Sequence, residues 1–266
     1  MAVTKRPRVL TQQPQGAVQI DWSNPLARGL VLAQVGDELS EKVNNKPAGN
    51  YFEDGPRPPS IFANTGRGLN FSGGPYELQF DYFKPGQKPT TAFSILTITK
   101  PVSNQAANTA GYILQSLSNT NQAQWGLDFY VSSFTTNGFG LNVRNSGGFS
   151  YGTNAPVGDN YQFTKPLIVS GSAGTTQNSK IYLNGELKGV GGTLNDFLFQ
   201  SNELNNSKPY MGSYNGSTYL NLIWNRTLTD SEHLQLAQNP WQLFKPAAGR
   251  TYFLPANRSK FLFLFN

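Results

Sequence analysis

Few residues in this chain are equipped for proton-transfer or covalent chemistry, and their spacing decides most cases. His233 is the single histidine, and so the single side chain suited to act as a general base near neutral pH. It follows Thr229-Asp230-Ser231-Glu232, a capping box that opens a helix. That position predicts a ring exposed on the helix surface, with no triad role. Retaining glycoside hydrolysis needs two carboxylates about 5–5.5 Å apart, which on a strand means alternate residues of one face. No Glu-x-Asp-x-Glu run exists. Glu77 and Asp81 share a face but stand roughly 13 Å apart at the rise of a strand, and read as a solvated face. Asp128, Asp159 and Asp196 fall in or near expected loops. Hard cations take such oxygens, yet no EF-hand-like spacing links them. No cofactor or metal is therefore expected, with Ca²⁺ the one ion left open. Gly66-Arg67-Gly68 lacks the third glycine and the following helix of a phosphate-cradling loop. Trp125, Trp224 and Trp241 could form a carbohydrate platform, but Trp224 leads into the helix and reads as core. Trp241, just past the helix stop, is expected to pack the tail back onto the domain, and no carbohydrate-binding residue is assigned.

Composition excludes further chemistry. The 266 residues contain no Cys, so there is no disulfide, thiolate metal site or cysteine nucleophile, and one His allows no His-His zinc motif. Only 14% of residues are charged, while Asn and Gly each number 27 and Pro 17. Such a charge-poor, aromatic and turn-rich chain builds many short strands, not a helical bundle. No apolar run approaches the ~18 residues of a membrane span, and the first residues lack the apolar stretch of a secretory signal. Folding in a cytoplasm is expected. The formal charge of +6 is unevenly placed: residues 1–20 carry Lys5, Arg6 and Arg8, and residues 239–266 carry Lys245, Arg250, Arg258 and Lys260, with no acid in either stretch. Between them lie 14 basic and 15 acidic residues. A neutral body with basic ends fits arms that dock on an acidic protein surface better than a nucleic-acid-binding face.

The elements that would position these residues are mostly strands. Gly29–Leu32 reads as a short strand, residues 36–60 as a surface excursion, and Tyr76, Leu78, Phe80 and Tyr82 as one face of an alternating strand. Further candidates are Phe93–Lys100, Gly111–Leu117, Trp125–Val131, Phe139–Arg144, Leu167–Ser170 and Ile181–Leu183. Asn184-Gly185 predicts a two-residue type I′ hairpin that faces Leu183 with Glu186 and Tyr182 with Leu187. One helix is expected, from Ser231 to Gln238, stopped by Asn239-Pro240. Two further strand-like pieces follow, Thr251–Leu254 and the Phe-Leu alternation Phe261–Phe265. An exposed apolar edge of that kind must be covered, by its own domain or a neighbouring chain.

In their order, these features resemble the laminin-G-like, concanavalin A-like jelly roll found in many bacteriophage and prophage proteins. The residues that carry the resemblance are Gly68-Leu69-Asn70-Phe71-Ser72-Gly73 with Tyr76, Phe93-Ser94-Ile95 with Lys100, Ile181 to Leu187, Tyr210-Met211-Gly212, and Leu222 to Glu232. The flanking blocks Asp21 to Leu30 and Asn239 to Pro246 look like those of phage-encoded members. The sequence departs from the pattern at Tyr161 to Pro166, where an aromatic-His-His segment is usual, and at Tyr219 to Ile223, where Gly-x-Ile-Asp-Glu is common. The expectation is an all-β antiparallel jelly-roll sandwich at residues 20–248, with one short helix near 230–238, a basic N-terminal arm at 1–19 and a C-terminal strand extension at 249–266. The resemblance implies a non-enzymatic virion structural protein: a capsid decoration or minor capsid protein, trimeric by analogy, bound to the major capsid protein or another virion protein. Lys5, Arg6, Arg8, Arg258, Lys260, Phe261, Phe263 and Phe265 are the expected contact residues. The alternative is a lectin-like adhesion module on a tail or fibre that binds host surface glycan. Membrane and nucleic-acid partners are not expected.

Overall fold

The β-branched, apolar run Ala92–Pro101 forms a ten-residue strand, and the architecture is arranged around it. The structure, a computed structural model, describes residues 13–14, 17–36, 42–43, 58–63, 66–72, 78–81, 89–102, 109–117, 123–131, 137–144, 150–157, 163–193, 203–206 and 214–247. In chain order the strands are β1 (Val18–Ile20), β2 (Leu30–Val35), β3 (Ser60–Ala63), β4 (Gly66–Asn70), β5 (Leu78–Asp81), β6 (Ala92–Pro101), β7 (Thr109–Leu117) and β8 (Ala123–Val131). They continue as β9 (Asn137–Arg144), β10 (Ser150–Pro156), β11 (Leu167–Gly174), β12 (Gln177–Leu183), β13 (Glu186–Thr193), β14 (Glu203–Asn206), β15 (Gly216–Trp224) and β16 (Phe244–Pro246). The α-helix α1 (Asp230–Gln238) precedes β16.

Strand order is β10-β9-β8-β7-β14-β5 in a six-stranded sheet and β13-β12-β11-β6-β15-β4-β3 in an eight-stranded one, where β2 also pairs with β15. Every pairing is antiparallel. This is the expected jelly-roll-like sandwich. Alternation along β6 sends Phe93 and Ile95 between the sheets, where they meet Val169, Ile181, Ile223, Ile113, Leu114, Leu127, Phe139 and Leu141.

The opposite face of the larger sheet is equally apolar. Leu96, Ile98, Leu222 and Trp224 pack against Val18, Ile20, Leu26, Leu228, Leu236, Trp241 and Leu243. These belong to β1, the 3₁₀ turn Pro25–Ala27, α1 with the residues just before it, and the 3₁₀ turn Pro240–Leu243. The eight-stranded sheet is thus the middle of three layers, and all nine residues of β15 are buried. Trp224 is core as expected: it is fully buried and its indole N–H donates to the Leu26 carbonyl at 2.7 Å. Trp241 is also buried and packs against Phe244, which draws the tail back onto the domain. There β16 pairs with β1 through Val18↔Pro246 and Ile20↔Phe244.

Polar side chains within the sheet form a closed row. Thr97 Oγ1 donates to Asn221 Oδ1 at 2.8 Å, Asn221 Nδ2 to Gln34 Oε1 at 2.8 Å, and Gln34 Nε2 to the Gly36 carbonyl at 2.6 Å. The three residues are register partners on β6, β15 and β2, and all are fully buried. Burial without partners would cost each group a few kcal/mol, so the row satisfies a demand that the fold creates.

The Asn184-Gly185 hairpin has the expected form, with φ of 52° and 84° and the pairs Leu183↔Glu186 and Tyr182↔Leu187. Its tip also packs on α1: a Cβ on Gly185 would lie 2.8 Å from the Ala237 Cβ and 3.1 Å from Leu234 Cδ1. The positions Tyr76 and Tyr82, and the pieces Thr251–Leu254 and Phe261–Phe265, lie outside the described residues. Gly185→Ala combines a left-handed backbone with overpacking, and is expected to cost about 2 kcal/mol or more in urea unfolding. Gly192, where an added Cβ would meet nothing within 4 Å, is the control. Gly192→Ala should change stability by no more than about 0.5 kcal/mol.

Candidate functional site

Helix α1 begins as its sequence dictates. The Thr229 hydroxyl accepts from the Glu232 N–H at 3.3 Å, and the Glu232 carboxylate accepts from the Thr229 N–H at 2.8 Å. Glu232 also takes a two-pronged ion pair from Arg226, with Nη1 at 2.9 Å and Nη2 at 2.7 Å. Burial pushes its carboxyl up, but the Arg226 and Thr229 donors outweigh this and hold it below the usual carboxylate range.

The sequence expectation for His233 is overturned: its ring is fully buried. The helix meets the outer face of β11 and β12 through His233 and Asp230, and His233 points inward, on the same side as Leu236 three residues on. Beneath it, Ser170 and Ser172 alternate on β11, roughly 6.6 Å apart at the strand rise, and the imidazole spans them. Ser170 Oγ lies 2.8 Å from Nδ1 and Ser172 Oγ 2.7 Å from Nε2. Tyr182 stacks on the ring, with centroids 4.0 Å apart and planes at 18°. The Tyr182 hydroxyl and Lys180 Nζ both donate to Asp230 Oδ1 at 2.7 Å. Those two hydrogen bonds, that from Lys180 first, hold the Asp230 carboxyl below its ordinary range. Burial and Asp230 together push the Tyr182 phenol up.

The hydrogen bonds favour one tautomer. Ser94 Oγ accepts from the Leu228 N–H at 2.8 Å and gives its own hydrogen to the Arg226 carbonyl at 2.8 Å. With that hydrogen so used, Ser172 is the donor in its 2.7 Å contact with Ser94. Ser172 is left with acceptor capacity toward the ring, so Nε2 carries the hydrogen and Nδ1 accepts from Ser170. Burial favours this neutral form and pushes the His233 pKa down to about 4, against the upward pull of Asp230 and Glu232.

Ser172 lines a solvent-open groove of about 480 Å³, together with Gln177, Asn178, Lys180, Thr227, Thr229 and Asp230. In this tautomer Nε2 donates to Ser172 and takes no hydrogen from that hydroxyl. The lone pair on Nδ1 points at Ser170, which is 1% exposed and beneath the helix. The arrangement joins helix to sheet through two serine hydroxyls and one imidazole.

The other sequence candidates are scattered. Asp81 ends β5 and Asp128 lies within β8, not in a loop; Glu77, Asp159 and Asp196 lie outside the described residues. So do Lys5, Arg6, Arg8, Arg258, Lys260, Phe261, Phe263 and Phe265. Gly66-Arg67-Gly68 opens β4 and forms a hairpin with β3, where a Cβ on Gly68 would lie 2.5 Å from the Thr218 carbonyl. Among the described residues, no three His, Cys, Asp or Glu side chains gather as metal ligands.

No family matches the sequence, and no curated protein does. Solved structures do match the fold. The botulinum neurotoxin serotype G binding domain aligns at a TM-score of 0.57 and 16% identity over 78% of this chain. The binding domain of Paraclostridial Mosquitocidal Protein 1 aligns at 0.53 and 12% over 80%. A structure of botulinum neurotoxin type C, whose cell entry is described as dependent on interaction with two ganglioside molecules, aligns at 0.54 and 15% over 80%. The chain spans about half the length of each, 50%, 52% and 51% respectively. The shared feature is the β-sandwich, and the first two of these are described as binding domains.

The His233 assignment has a pH signature. The unfolded chain takes up a proton near pH 6.5 and the folded one only near 4. This contribution to stability is complete above about pH 6.5, declines as pH falls through that window, and is gone below 4, a change of about 3 kcal/mol. His233→Ala should lower stability at pH 7 by about 3 kcal/mol, through the cavity and the hydroxyls left unpaired. It should also flatten the slope of urea-unfolding free energy between pH 4 and 6.5. An unchanged slope would show that the imidazole is not held neutral.

Proposed function

We propose that this chain is a non-catalytic, lectin-like recognition module that binds surface glycan. The observation that carries this reading is the sandwich shared over about four fifths of the chain with two structures described as binding domains and with a neurotoxin whose cell entry is described as dependent on two ganglioside molecules. The chemistry of the body supports it. Residues 21–238 are almost charge-balanced and rich in Asn and Gly, whose side-chain and backbone amides suit sugar hydroxyls. The one histidine is committed to joining helix and sheet.

A second reading, a virion structural protein held on a capsid surface by its terminal segments, is supported by a different observation. The Ala247 N–H donates to the Ala17 carbonyl at 2.9 Å, beside the β1–β16 pairing. The basic segments at the two ends therefore connect to the domain at neighbouring points. Trimeric assembly and contact with a major capsid protein belong to this reading.

An array of neutral and acidic glycans tests the first reading. Retention of defined glycans without their hydrolysis, at micromolar to millimolar Kd, is expected; absence of any retention overturns it. For the second, removal of residues 1–12 should lower occupancy on particles while leaving Tm unchanged, because Gln13 already contacts the Arg67 N–H and β1 starts at Val18. Unchanged occupancy overturns the anchoring role.

A further inference from the structure

A second recess, of about 540 Å³, lies on the other side of the helix start and is lined by Pro25, Arg28, Gly29, Asn225, Arg226 and Glu232. Its size falls within the range of small-ligand sites. Its charges are unequal in status. Arg226 is fully engaged: Nη1 and Nη2 hold Glu232, and Nε donates to the Arg28 carbonyl at 2.7 Å. That pair cancels in charge and is fixed in place. Arg28 is exposed, and its guanidinium has no hydrogen bond or ion pair among the described residues. The exposed Asn225 carboxamide is likewise unpaired among them, while its backbone N–H donates to the Gly29 carbonyl at 2.8 Å. The two free side chains thus sit on backbones locked to each other. Gly29, at φ +76°, makes this approach feasible, since a Cβ there would lie 2.8 Å from Asn225 Oδ1.

An exposed aromatic side chain lies three residues before Pro25, which lines the recess. Trp22 is 58% exposed, more than any other large hydrophobic side chain among the described residues. It occupies the turn closed by the Asn24 N–H to the Asp21 carbonyl, which runs directly into Pro25. That turn is braced: Asp21 Oδ1 accepts from Ser23 Oγ at 2.7 Å and from Lys245 Nζ at 3.1 Å, and Asn24 Nδ2 donates to the Gln242 carbonyl at 2.9 Å. Preorganisation of this kind lowers the ordering cost of binding.

We propose that this recess binds an acidic saccharide: Arg28 pairs with the carboxylate, Asn225 with ring hydroxyls, and the Trp22 indole covers the apolar face of a sugar ring. An uncompensated guanidinium selects a carboxylate, while an amide and an exposed indole select a polyol ring with a C–H face. The proposal rests on the lectin-like reading above and adds the ligand class and the residues.

Isothermal titration with sialyllactose and with lactose tests it, using the full chain and the variants Arg28→Ala, Trp22→Ala and Asn225→Ala. All three side chains are exposed, so Tm should not move. The wild type is expected to prefer sialyllactose. Arg28→Ala should remove that preference, with about a tenfold or larger loss for the acidic sugar alone, and Trp22→Ala should weaken both sugars. If lactose binds as well as sialyllactose, or if the variants bind as the wild type does, the recess assignment falls while glycan binding stands. If neither sugar binds and the glycan array is also blank, the lectin reading itself falls.

Discussion

Around β6, β15 and β2 the eight-stranded sheet buries apolar side chains on both faces, and the rest of the structure follows from the need to cover it twice. Burial of a single Leu, Ile or Val side chain is worth about 1.5–3 kcal/mol, so neither face could be left to solvent. The six-stranded sheet covers one face, through Ile113, Leu127 and Phe139. The other is covered by pieces too small to stand alone: a three-residue ribbon, two 3₁₀ turns and a nine-residue helix. A helix of that length is marginal by itself in water. It is held here by Leu236 and by an imidazole that satisfies two serine hydroxyls at once.

Polar groups inside such a layered core serve register as much as stability. A hydroxyl pair spaced by one residue on β11 accepts an imidazole in one position only, and a one-residue slip of that strand would turn both hydroxyls to the inter-sheet face. The Thr97–Asn221–Gln34 row constrains β6, β15 and β2 in the same way. The chemical groups that could have been read as catalytic are thus those that define the alignment of the layers.

Much of the sandwich was legible in the residues. Strict local rules carried it: Asn-Gly for the hairpin, the Thr229–Glu232 box for the helix, and β-branched runs for β6 and β11. The strands β10 and β14 were missed because Ser150–Pro156 and Glu203–Asn206 have weak intrinsic preference and form by pairing with neighbours. His233 was misplaced for a related reason. Its helix is short and mostly polar, so the face that packs is set by the sheet beneath, not by the helix's own pattern. The spacing of His233 to Leu236, together with the small alternating serines of β11, was the available signal. The recess at Arg28 joins positions nearly 200 residues apart in sequence, Arg28 with Asn225 and Arg226, which no local pattern reveals.

The pairing of β1 with β16 has a consequence for the order of assembly. The outer layer draws on residues near both ends of the described chain, so its closure is a contact of very long sequence separation, the kind that forms slowly. During synthesis, the sandwich strands are available before residues 241–247 emerge. Until they do, Leu96, Leu222 and Trp224 lack part of their cover. The nascent protein therefore passes through a stage with an adhesive flank, and the rate at which its last turn arrives sets how long that stage endures.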